Sequence, residues 1–374
     1  MKNYLFPVII VAMAGILNLS LMTVLGQSSA STPLRVAVAG TTHGHVSWIL
    51  NRKNKSDVQV VGIYEPNLVL TEKHARQFNL NKDLFYTNLK AMLDAVKPEA
   101  VVAFGSIYEH LAVVQICAPR GIHVMVEKPL AASLAQAVRM EALAKKHNIH
   151  LLTNYETSWY PTTEKSFQLL NDSNSIGKLK KAVFHHGHQG PKEIGVSNEF
   201  LEWLTDPVQN GGGAIIDFGC YGANLMTYLM KGATPSSVMA VTRQFKPDTY
   251  PKVDDEATIV VTYPNAQCLI QASWNWPFSR KDMEIYGETG YIIAQNSQKM
   301  LLRNKAQMPE RAMQVTAQDI KVYEDPFSYF ADVIRKKITV TDHGVYSLPN
   351  NMIVMRILEA AKESARTGKT VQLQ

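Results

Sequence analysis

The chain has 374 residues, of which 46% are apolar and 19% are charged, the composition of a globular protein with room for two domains. The net charge is +6, but the basic residues stand in short scattered groups without interleaved aromatic residues, which argues against nucleic acid as a partner. The three cysteines (Cys117, Cys220 and Cys268) lack metal-ligand or disulfide spacing, so neither a zinc site nor a disulfide framework is predicted.

The first 30 residues differ in kind from the rest of the chain. Lys2 is followed by an apolar run over residues 5–25 and then by small polar residues, the layout of a secretory signal peptide with cleavage after Gly26 or Ala30. Polar and helix-breaking residues interrupt the run, which favours cleavage over retention in a membrane. We therefore expect a periplasmic or secreted protein. The alternative is a protein that is anchored in the membrane through an uncleaved N-terminal segment.

Between residues 34 and 154, short apolar runs alternate with helical patterns. The runs are LRVAVAG, VQVVGIYE, AVVAFG, IHVMVE and IHLLTN. Local signals bound the helices between them, such as Ser133 as an N-cap before one helix and Gly121 after another. This alternation predicts an α/β domain with a doubly wound parallel sheet over residues 34–154.

Ligands of such a sheet bind beyond the carboxyl ends of its strands. Seven residues of this chain fall there: Gly40, Glu65, Gly105, Ser106, Glu127, Lys128 and Asn154. Gly40 permits the tight turn after the first strand, and the amides that follow can bind a pyrophosphate. Glu65 stands where an acidic residue contacts the ribose hydroxyls of NAD and repels the extra phosphate of NADP. The carboxyl edge of the predicted sheet therefore fits NAD, with NADP as the alternative cofactor.

The glycine fingerprint of dinucleotide sites is incomplete in VAVAGTTHGHVSW, residues 36–48. Thr42 stands at the second glycine position and His45 at the third, although both still offer backbone amides. The fingerprint alone leaves two interpretations open, a dinucleotide-binding sheet and a sheet that binds no nucleotide.

Five segments in a fixed order resemble one enzyme family. They are GIHVMVEKPLA, GGGAIIDFGCY, VDDEATIVVTY, EIYGETGYI and ILEAAKESARTGKTVQL. Together they resemble the glucose-fructose oxidoreductase, inositol dehydrogenase and rhizopine catabolism protein (Gfo/Idh/MocA) family. The resemblance implies an N-terminal Rossmann dinucleotide-binding domain and a C-terminal α+β domain with an open, mostly antiparallel sheet. It places the second domain at residues 155–374, with the last helix packing back toward the first domain, and it implies a homo-oligomer, either a dimer or a tetramer.

The resemblance also extends the predicted cofactor site. Some members of the family carry H-G-H at the start of the first helix, so His43 and His45 are expected near the dinucleotide. Capping of that helix is the alternative role of the two histidines. The remaining residues of the predicted cofactor site are Thr41, Thr42 and His110, the last of which matches a histidine common in the family.

Three residues receive chemical roles from the resemblance. Lys128, the lysine of E-K-P, would bind a substrate hydroxyl and stabilise the alkoxide as hydride leaves carbon. Asp217 would help to position the substrate. Tyr221 stands where many relatives carry an acid/base histidine, and a tyrosine in that role needs a nearby cation, which Lys128 would supply. The alternatives are an ion pair of Lys128 with Glu127 and a purely structural, buried Tyr221.

Four further side chains are candidates for substrate contacts: Trp159, Tyr160, His186 and His188. On a strand, His186 and His188 share one face and His185 lies on the other. No carboxylate or cysteine stands at a fitting spacing from these histidines, so no metal is predicted. Trp274 and Trp276 are interpreted as packing residues of the second sheet, with stacking on a sugar ring as the alternative.

The predicted function is that of an exported NAD(P)-dependent oxidoreductase that acts on a hydroxyl or keto group of a sugar, a sugar derivative or a polyol. An exported enzyme has no replenished pool of free dinucleotide, so the cofactor is expected to be tightly bound. One alternative is a redox-neutral enzyme that cleaves glycosides through a 3-keto intermediate with bound NAD. Another is a non-catalytic sensor of a sugar or nucleotide. Contact with a membrane is expected only through the N-terminal segment.

Overall fold

The computed structural model describes Met1 and residues 32–53, 56–172 and 174–373. The predicted signal peptide, apart from Met1, lies outside the described residues. Among the helices of the described ranges, none is long and apolar enough to cross a membrane. The chain from Pro33 onward forms one compact unit.

The first sheet contains six parallel strands. They are β1 (Leu34–Ala39), β2 (Val58–Tyr64), β3 (Phe85–Tyr86), β4 (Ala100–Ala103), β5 (His123–Glu127) and β6 (Leu151–Asn154). Their order is β3-β2-β1-β4-β5-β6, with every neighbouring pair parallel. The order reverses between β1 and β4, and ligands of doubly wound sheets bind at that point. The predicted parallel sheet is confirmed, and β3 is an additional strand of two residues, too short to leave a sequence pattern.

Helices cover both faces of this sheet. They are α1 (Val46–Leu50), α2 (Leu68–Gln77), α3 (Leu89–Val96), α4 (His110–Cys117) and α5 (Leu134–His147). α5 begins as the sequence predicts, because the Ser133 hydroxyl accepts a hydrogen bond from the Gln136 amide at 3.3 Å. It ends at Asn148, whose left-handed backbone closes the last turn.

The second sheet contains nine strands. They are β7 (Leu179–Gly187), β8 (Ser237–Arg243), β9 (Glu256–Thr262), β10 (Gln267–Ser273), β11 (Arg280–Gly287), β12 (Tyr291–Ala294), β13 (Lys299–Arg303), β14 (Arg311–Gln314) and β15 (Val371–Gln372). Their order is β14-β13-β12-β11-β7-β10-β9-β8-β15. All neighbouring strands are antiparallel except β7 and β10, which are parallel. The mostly antiparallel second sheet is thereby confirmed.

Six further helices follow in the second half of the chain. They are α6 (Pro161–Asn171), α7 (Asn198–Leu204), α8 (Ala214–Asp217), α9 (Gly219–Leu229), α10 (Pro326–Ile334) and α11 (Leu348–Thr367). α10 packs on the first sheet, where Phe327 and Phe330 join the core formed by Val36 and Val38.

α9 is buried along its whole length against one face of the second sheet, where Ile259 and Ile270 are fully buried. α11 packs on α9 and β8 and also contacts α5 and β6, so it touches both sheets. The opposite face of the second sheet carries no helix in the described part, and Met239 and Val241 are about half exposed on β8.

Candidate active site

The loop after β1 and the loop after β4 meet at the carboxyl edge of the first sheet. Gly40 has φ of +79°, and a Cβ atom at this position would lie 2.7 Å from the Gly105 amide nitrogen. Only glycine fits there, because any side chain would collide with backbone. The two loops therefore form the floor of a crevice at the point where the strand order reverses.

A cavity of about 170 Å³ opens at this edge, beside β1, β2 and β4. Its lining includes Gly40, Thr42, Glu65, Gly105 and His110, all five from the predicted cofactor site. Glu65 is 2% exposed, and its carboxylate accepts hydrogen bonds from the Thr41 hydroxyl at 2.5 Å and from the Asn67 amide at 2.9 Å. Burial raises the pKa of Glu65. An acceptor held at the second strand suits the ribose hydroxyls of a dinucleotide.

Replacement of Glu65 by serine is expected to weaken NAD binding and to strengthen NADP binding, because the carboxylate accepts from ribose hydroxyls and repels a phosphate. Titration of wild-type and Glu65→Ser protein with both cofactors measures the change in preference. Asp83→Ser is a suitable control, because Asp83 is exposed and lies outside the cavity lining. Equal or tighter NADP binding by the wild-type protein would remove Glu65 from this role.

His110 lies fully buried at the same cavity. One ring nitrogen, Nδ1, is 3.1 Å from the Leu130 carbonyl oxygen, to which it donates, and burial lowers the pKa of His110 to about 4. A histidine in an unfolded chain has a pKa near 6.5. The folded state therefore resists protonation of His110 over the range between these two values.

The stability of the fold is expected to fall as the pH drops from about 6.5 toward 4. Over this range the His110 ring binds a proton in the unfolded chain but not in the folded one, and this proton binding favours the unfolded chain. This residue alone accounts for about 3 kcal/mol of that loss. Urea unfolding at pH 7 and pH 4 should show a smaller pH dependence for His110→Asn than for the wild type. An identical pH dependence in both proteins would contradict this assignment.

A chain of hydrogen bonds fixes the carboxylate of Glu127 at the end of β5. Trp159 Nε1 donates to Asn154 Oδ1 at 3.1 Å, and Asn154 Nδ2 donates to Glu127 Oε1 at 2.6 Å. The other oxygen lies 3.1 Å from His45 Nδ1. Burial opposes the charge of Glu127, but the charge of His45 and this hydrogen bond lower its pKa to about 2. Glu127 is therefore an anion at neutral pH.

The ligand atoms of His43, His45 and Glu127 lie within 4.8 Å of one another, close enough for a metal ion. The Nδ1 atoms of both histidines already have partners. His43 Nδ1 accepts from the His45 amide at 3.1 Å, and His45 Nδ1 contacts Glu127. In its neutral form His43 then carries its proton on Nε2, and burial lowers its pKa well below the ordinary value. His43 therefore presents a donor at Nε2, whereas His45, whose Nδ1 donates to Glu127, has its lone pair on Nε2 in the neutral ring.

Lys128 and Asp217 form a buried ion pair between the two sheets. The Lys128 ammonium donates to Asp217 Oδ1 and, at 3.0 Å, to the Asp217 carbonyl oxygen. Burial lowers the pKa of Lys128, but the Asp217 charge outweighs it, and the net pKa is raised. Asp217 Oδ2 accepts from Trp274 Nε1 at 2.9 Å. The partner of Lys128 is thus Asp217, and the packing role predicted for Trp274 is incomplete, because its indole also orients this carboxylate.

Tyr221 lies beside this pair in the first turn of α9. The ring centroid is 5.1 Å from the Lys128 Nζ and 5.5 Å from the Lys281 Nζ. Burial nevertheless raises the pKa of Tyr221 well above its ordinary value. The charges of Glu156 and Asp217 add to this rise in the pKa, so the side chain is a phenol, which can donate a proton or a hydrogen bond, and the two ammonium groups lie beside its ring.

The three histidines of β7 and its end have different surroundings. His186 is buried and stacks on Tyr221 at 5.3 Å between ring centroids, and burial lowers its pKa to about 3. His185 lies on the other face of the strand, where Nδ1 is 3.2 Å from Asp282. His188 Nδ1 accepts from the Gly190 amide at 2.9 Å, so its Nε2 is the donor in the neutral ring.

A cavity of about 730 Å³ lies next to these residues, beside the end of β7, the start of β11 and the end of β12. Polar and charged side chains dominate its lining, which includes Glu156, Tyr160, His188, Arg280, Lys281 and Asp282. Tyr160 donates to Glu156 at 2.6 Å, and the Glu156 carboxylate also pairs with the Lys281 ammonium. Trp159, predicted as a substrate contact, is absent from this lining and instead stacks on Tyr346 at 4.6 Å between centroids.

Sequence reasoning missed Lys281 and Glu156. Lys281 stands opposite His186 in the antiparallel pairing of β11 with β7. No local motif marks it, because its place depends on strand register. Glu156 follows β6 by two residues, and its position after a strand of the first sheet was the available signal.

Comparison with known proteins agrees with this arrangement. Residues 34–155 match the profile described as "Oxidoreductase family, NAD-binding Rossmann fold", and residues 167–293 match "GFO/IDH/MocA C-terminal domain". Over 238 residues the chain is 30% identical to trans-1,2-dihydrobenzene-1,2-diol dehydrogenase of Xenopus laevis. The matched segment covers 63% of this chain and 67% of that relative.

Solved structures share the fold at lower identity. Aldose-aldose oxidoreductase from Caulobacter crescentus, complexed with glycerol, superposes with a TM-score of 0.76 at 20% identity, over 91% of this chain and 100% of the other. An inositol dehydrogenase homolog from Azotobacter vinelandii, complexed with NAD+, gives 0.78 at 16% identity, over 92% and 98%. The chain therefore belongs to the Gfo/Idh/MocA family of oxidoreductases, and its first domain is the NAD-binding Rossmann fold of that family.

Proposed function

We propose that this protein transfers hydride between a bound nicotinamide dinucleotide and a carbinol carbon of a sugar, a sugar derivative or a polyol. The observation that carries the proposal is the cluster of Lys128, Asp217 and Tyr221. The cluster is linked to the polar cavity of the second sheet by Lys281, which lines that cavity and whose Nζ lies 5.5 Å from the Tyr221 ring centroid. We place the reacting carbon of a substrate beside the Lys128 ammonium and the Tyr221 phenol.

The crevice of the first sheet fits NAD. Gly40 lets the loop after β1 approach the loop after β4, Glu65 offers an acceptor to a ribose, and neutral His43 offers a donor to a phosphate. When bound, the nicotinamide ring supplies the acceptor or donor of hydride. Because of these donors and acceptors, we assign the residues at the carboxyl edge of the first sheet to the cofactor.

The residues of the cluster have complementary tasks. The Lys128 ammonium donates to the substrate oxygen and stabilises the negative charge that develops there. Asp217, held by Trp274, keeps that ammonium charged and in place. Tyr221 exchanges the hydroxyl proton, with the Lys128 and Lys281 charges offsetting the cost of a tyrosinate in a buried position.

A carbohydrate or polyol substrate is supported by the lining of the second cavity. Carboxylates, an ammonium, a guanidinium and the His188 Nε2 donor match a ligand with many hydroxyl groups. Relatives act on or bind such molecules, since the Xenopus protein is named for a diol and the Caulobacter structure contains glycerol. The substrate class of this chain is proposed by extension from them.

Export is proposed from the first 30 residues, with cleavage after Gly26 or Ala30. An exported dehydrogenase needs a cofactor that stays bound and is regenerated within one catalytic cycle. Intact-mass measurement of the protein from its native host is expected to give a soluble chain that lacks this segment. A membrane-bound protein of full length would contradict it.

A homo-oligomer is proposed from the uncovered face of the second sheet. Met239 and Val241 lie there, 44% and 46% exposed, and apolar side chains in that position favour burial against a second copy. Light scattering coupled to gel filtration distinguishes a dimer or tetramer from a monomer.

The decisive experiment on function begins with the dinucleotide itself. Mass spectrometry of the purified protein after denaturation is expected to release NAD. The protein is then incubated with aldoses, polyols and glycosides, and the products are analysed. Oxidised or reduced sugars support the proposed oxidoreductase, cleaved glycosides without net redox change support the redox-neutral alternative, and bound NAD without any turnover supports a sensor.

A further inference from the structure

A segment of the second domain crosses the dinucleotide crevice of the first. We call residues 189–212, which include α7, the strap. Both of its ends are fixed on the second domain. The Lys246 ammonium donates to the Gln189 carbonyl oxygen at 2.6 Å and to the Trp274 carbonyl oxygen at 2.7 Å. After the other end, the Gly213 amide donates to Asp254 at 2.9 Å.

The middle of the strap rests on the loop after β1. Trp203 Nε1 donates to the Thr42 hydroxyl at 3.1 Å. The Phe200 ring lies 4.6 Å from the His43 ring between centroids, and a Cβ atom on Gly44 would be 3.8 Å from Phe200. In the proposed function Thr42 and Gly44 offer amides to a pyrophosphate and His43 offers a ring nitrogen, while the His43 amide donates to the Phe104 carbonyl oxygen at 2.8 Å.

The strap also contacts the loop after β4. The Ser106 hydroxyl donates to the Gln209 side-chain oxygen at 2.7 Å, and the Tyr108 amide donates to the Gln209 carbonyl oxygen at 2.9 Å. A ligand of this sheet binds between the loops after β1 and β4, because the strand order reverses there. The strap touches both loops and therefore bridges the mouth of the crevice.

We propose that α7 and Gln209 form the outer wall of the dinucleotide site, and that Trp203 and Gln209 retain NAD through the catalytic cycle. This inference rests on the proposed function. A bound dinucleotide can leave only after the contacts of Trp203 with Thr42 and of Gln209 with Ser106 have opened. The first loop lacks two of the three fingerprint glycines, and the strap adds contacts that this loop and its short helix α1 do not provide.

The test measures the dissociation of NAD and needs no substrate. Wild-type protein and the variants Trp203→Phe, Gln209→Ala and the two combined are loaded with isotopically labelled NAD. An excess of unlabelled NAD is then added, and the labelled NAD that remains bound is followed with time. Trp203→Phe keeps an aromatic ring in the core while it removes the indole donor and part of the ring volume, and a thermal melt of each variant checks that the fold is preserved.

We expect the combined variant to release NAD about tenfold faster than the wild type or more, because each lost hydrogen bond is worth a few-fold in rate. Ile194→Ala is the matched control, since Ile194 belongs to the strap, is 47% exposed, and should leave the rate unchanged. Equal release from the combined variant and the wild type would overturn the retaining role of the strap. Failure of every protein to bind NAD would instead overturn the proposed function and this inference with it.

Discussion

Lys128→Met is expected to reduce turnover by about a thousandfold or more, because the ammonium acts on the charge that develops in the transition state. The affinity for NAD should stay within a few-fold of the wild type, since the dinucleotide edge has its own donors and acceptors. Steady-state kinetics on the substrate identified by product analysis, together with NAD titration, measures both quantities.

Loss of Lys128 also leaves the Asp217 carboxylate buried without its cation, which costs about 3 to 5 kcal/mol of stability. The double variant Lys128→Met/Asp217→Asn removes that charge, and it should regain stability without regaining turnover. Lys145→Met, an exposed position on α5, is the matched control and should behave as wild type. Recovery of turnover in the double variant would contradict the catalytic role of Lys128.

Tyr221→Phe is expected to lower turnover roughly a hundredfold to ten-thousandfold, the usual effect of removing a positioned acid or base. NAD affinity should not change, and the ring should remain packed between His186 and Tyr155. The same kinetic measurement applies, extended over pH, because loss of the proton-exchanging group should also remove its limb from the pH profile.

A second tyrosine of α9 provides the control for this change. Tyr228 lies seven positions later, and its hydroxyl donates to Glu164 at 2.7 Å. Tyr228→Phe should cost about 1 kcal/mol of stability and leave turnover intact. Full activity of Tyr221→Phe would mean that a histidine, and not Tyr221, exchanges the proton. His188 would then be the residue to substitute, because the pKa of about 3 makes His186 a weak base.

The first sheet could be predicted because each of its main strands is a short apolar run between capped helices. β3 could not, since two residues carry no periodicity. The mostly antiparallel character of the second sheet could be predicted from the resemblance to a known family. The register of its strands could not, because the pairing of β11 with β7 depends on residues far apart in sequence. This pairing places Lys281 opposite His186, which lies 95 positions earlier in the chain.

In the candidate site, too, residues within local motifs could be predicted, and contacts between distant residues could not. Lys128, Asp217 and Tyr221 could be identified because each lies in a motif, and the structure brings all three together. Trp274 was taken for a packing residue, because the hydrogen bond of its indole to Asp217 joins residues 57 positions apart. The strap was not foreseen either, since no local pattern shows that Trp203 and Gln209 reach the loops of the other domain.

In the proposed reaction, a dinucleotide in the crevice exchanges hydride with a carbohydrate or polyol held beside Lys128 and Tyr221. The most direct test loads wild-type protein and the Lys128→Met/Asp217→Asn variant with NAD, adds aldoses, polyols and glycosides in turn, and records the absorbance of reduced nicotinamide in a single turnover. We predict that at least one of these compounds reduces the NAD bound to the wild-type protein and that the variant, with NAD equally bound, stays oxidised. Reduction at equal rates in both proteins, or NAD that stays oxidised in the wild type with every compound, would contradict this mechanism.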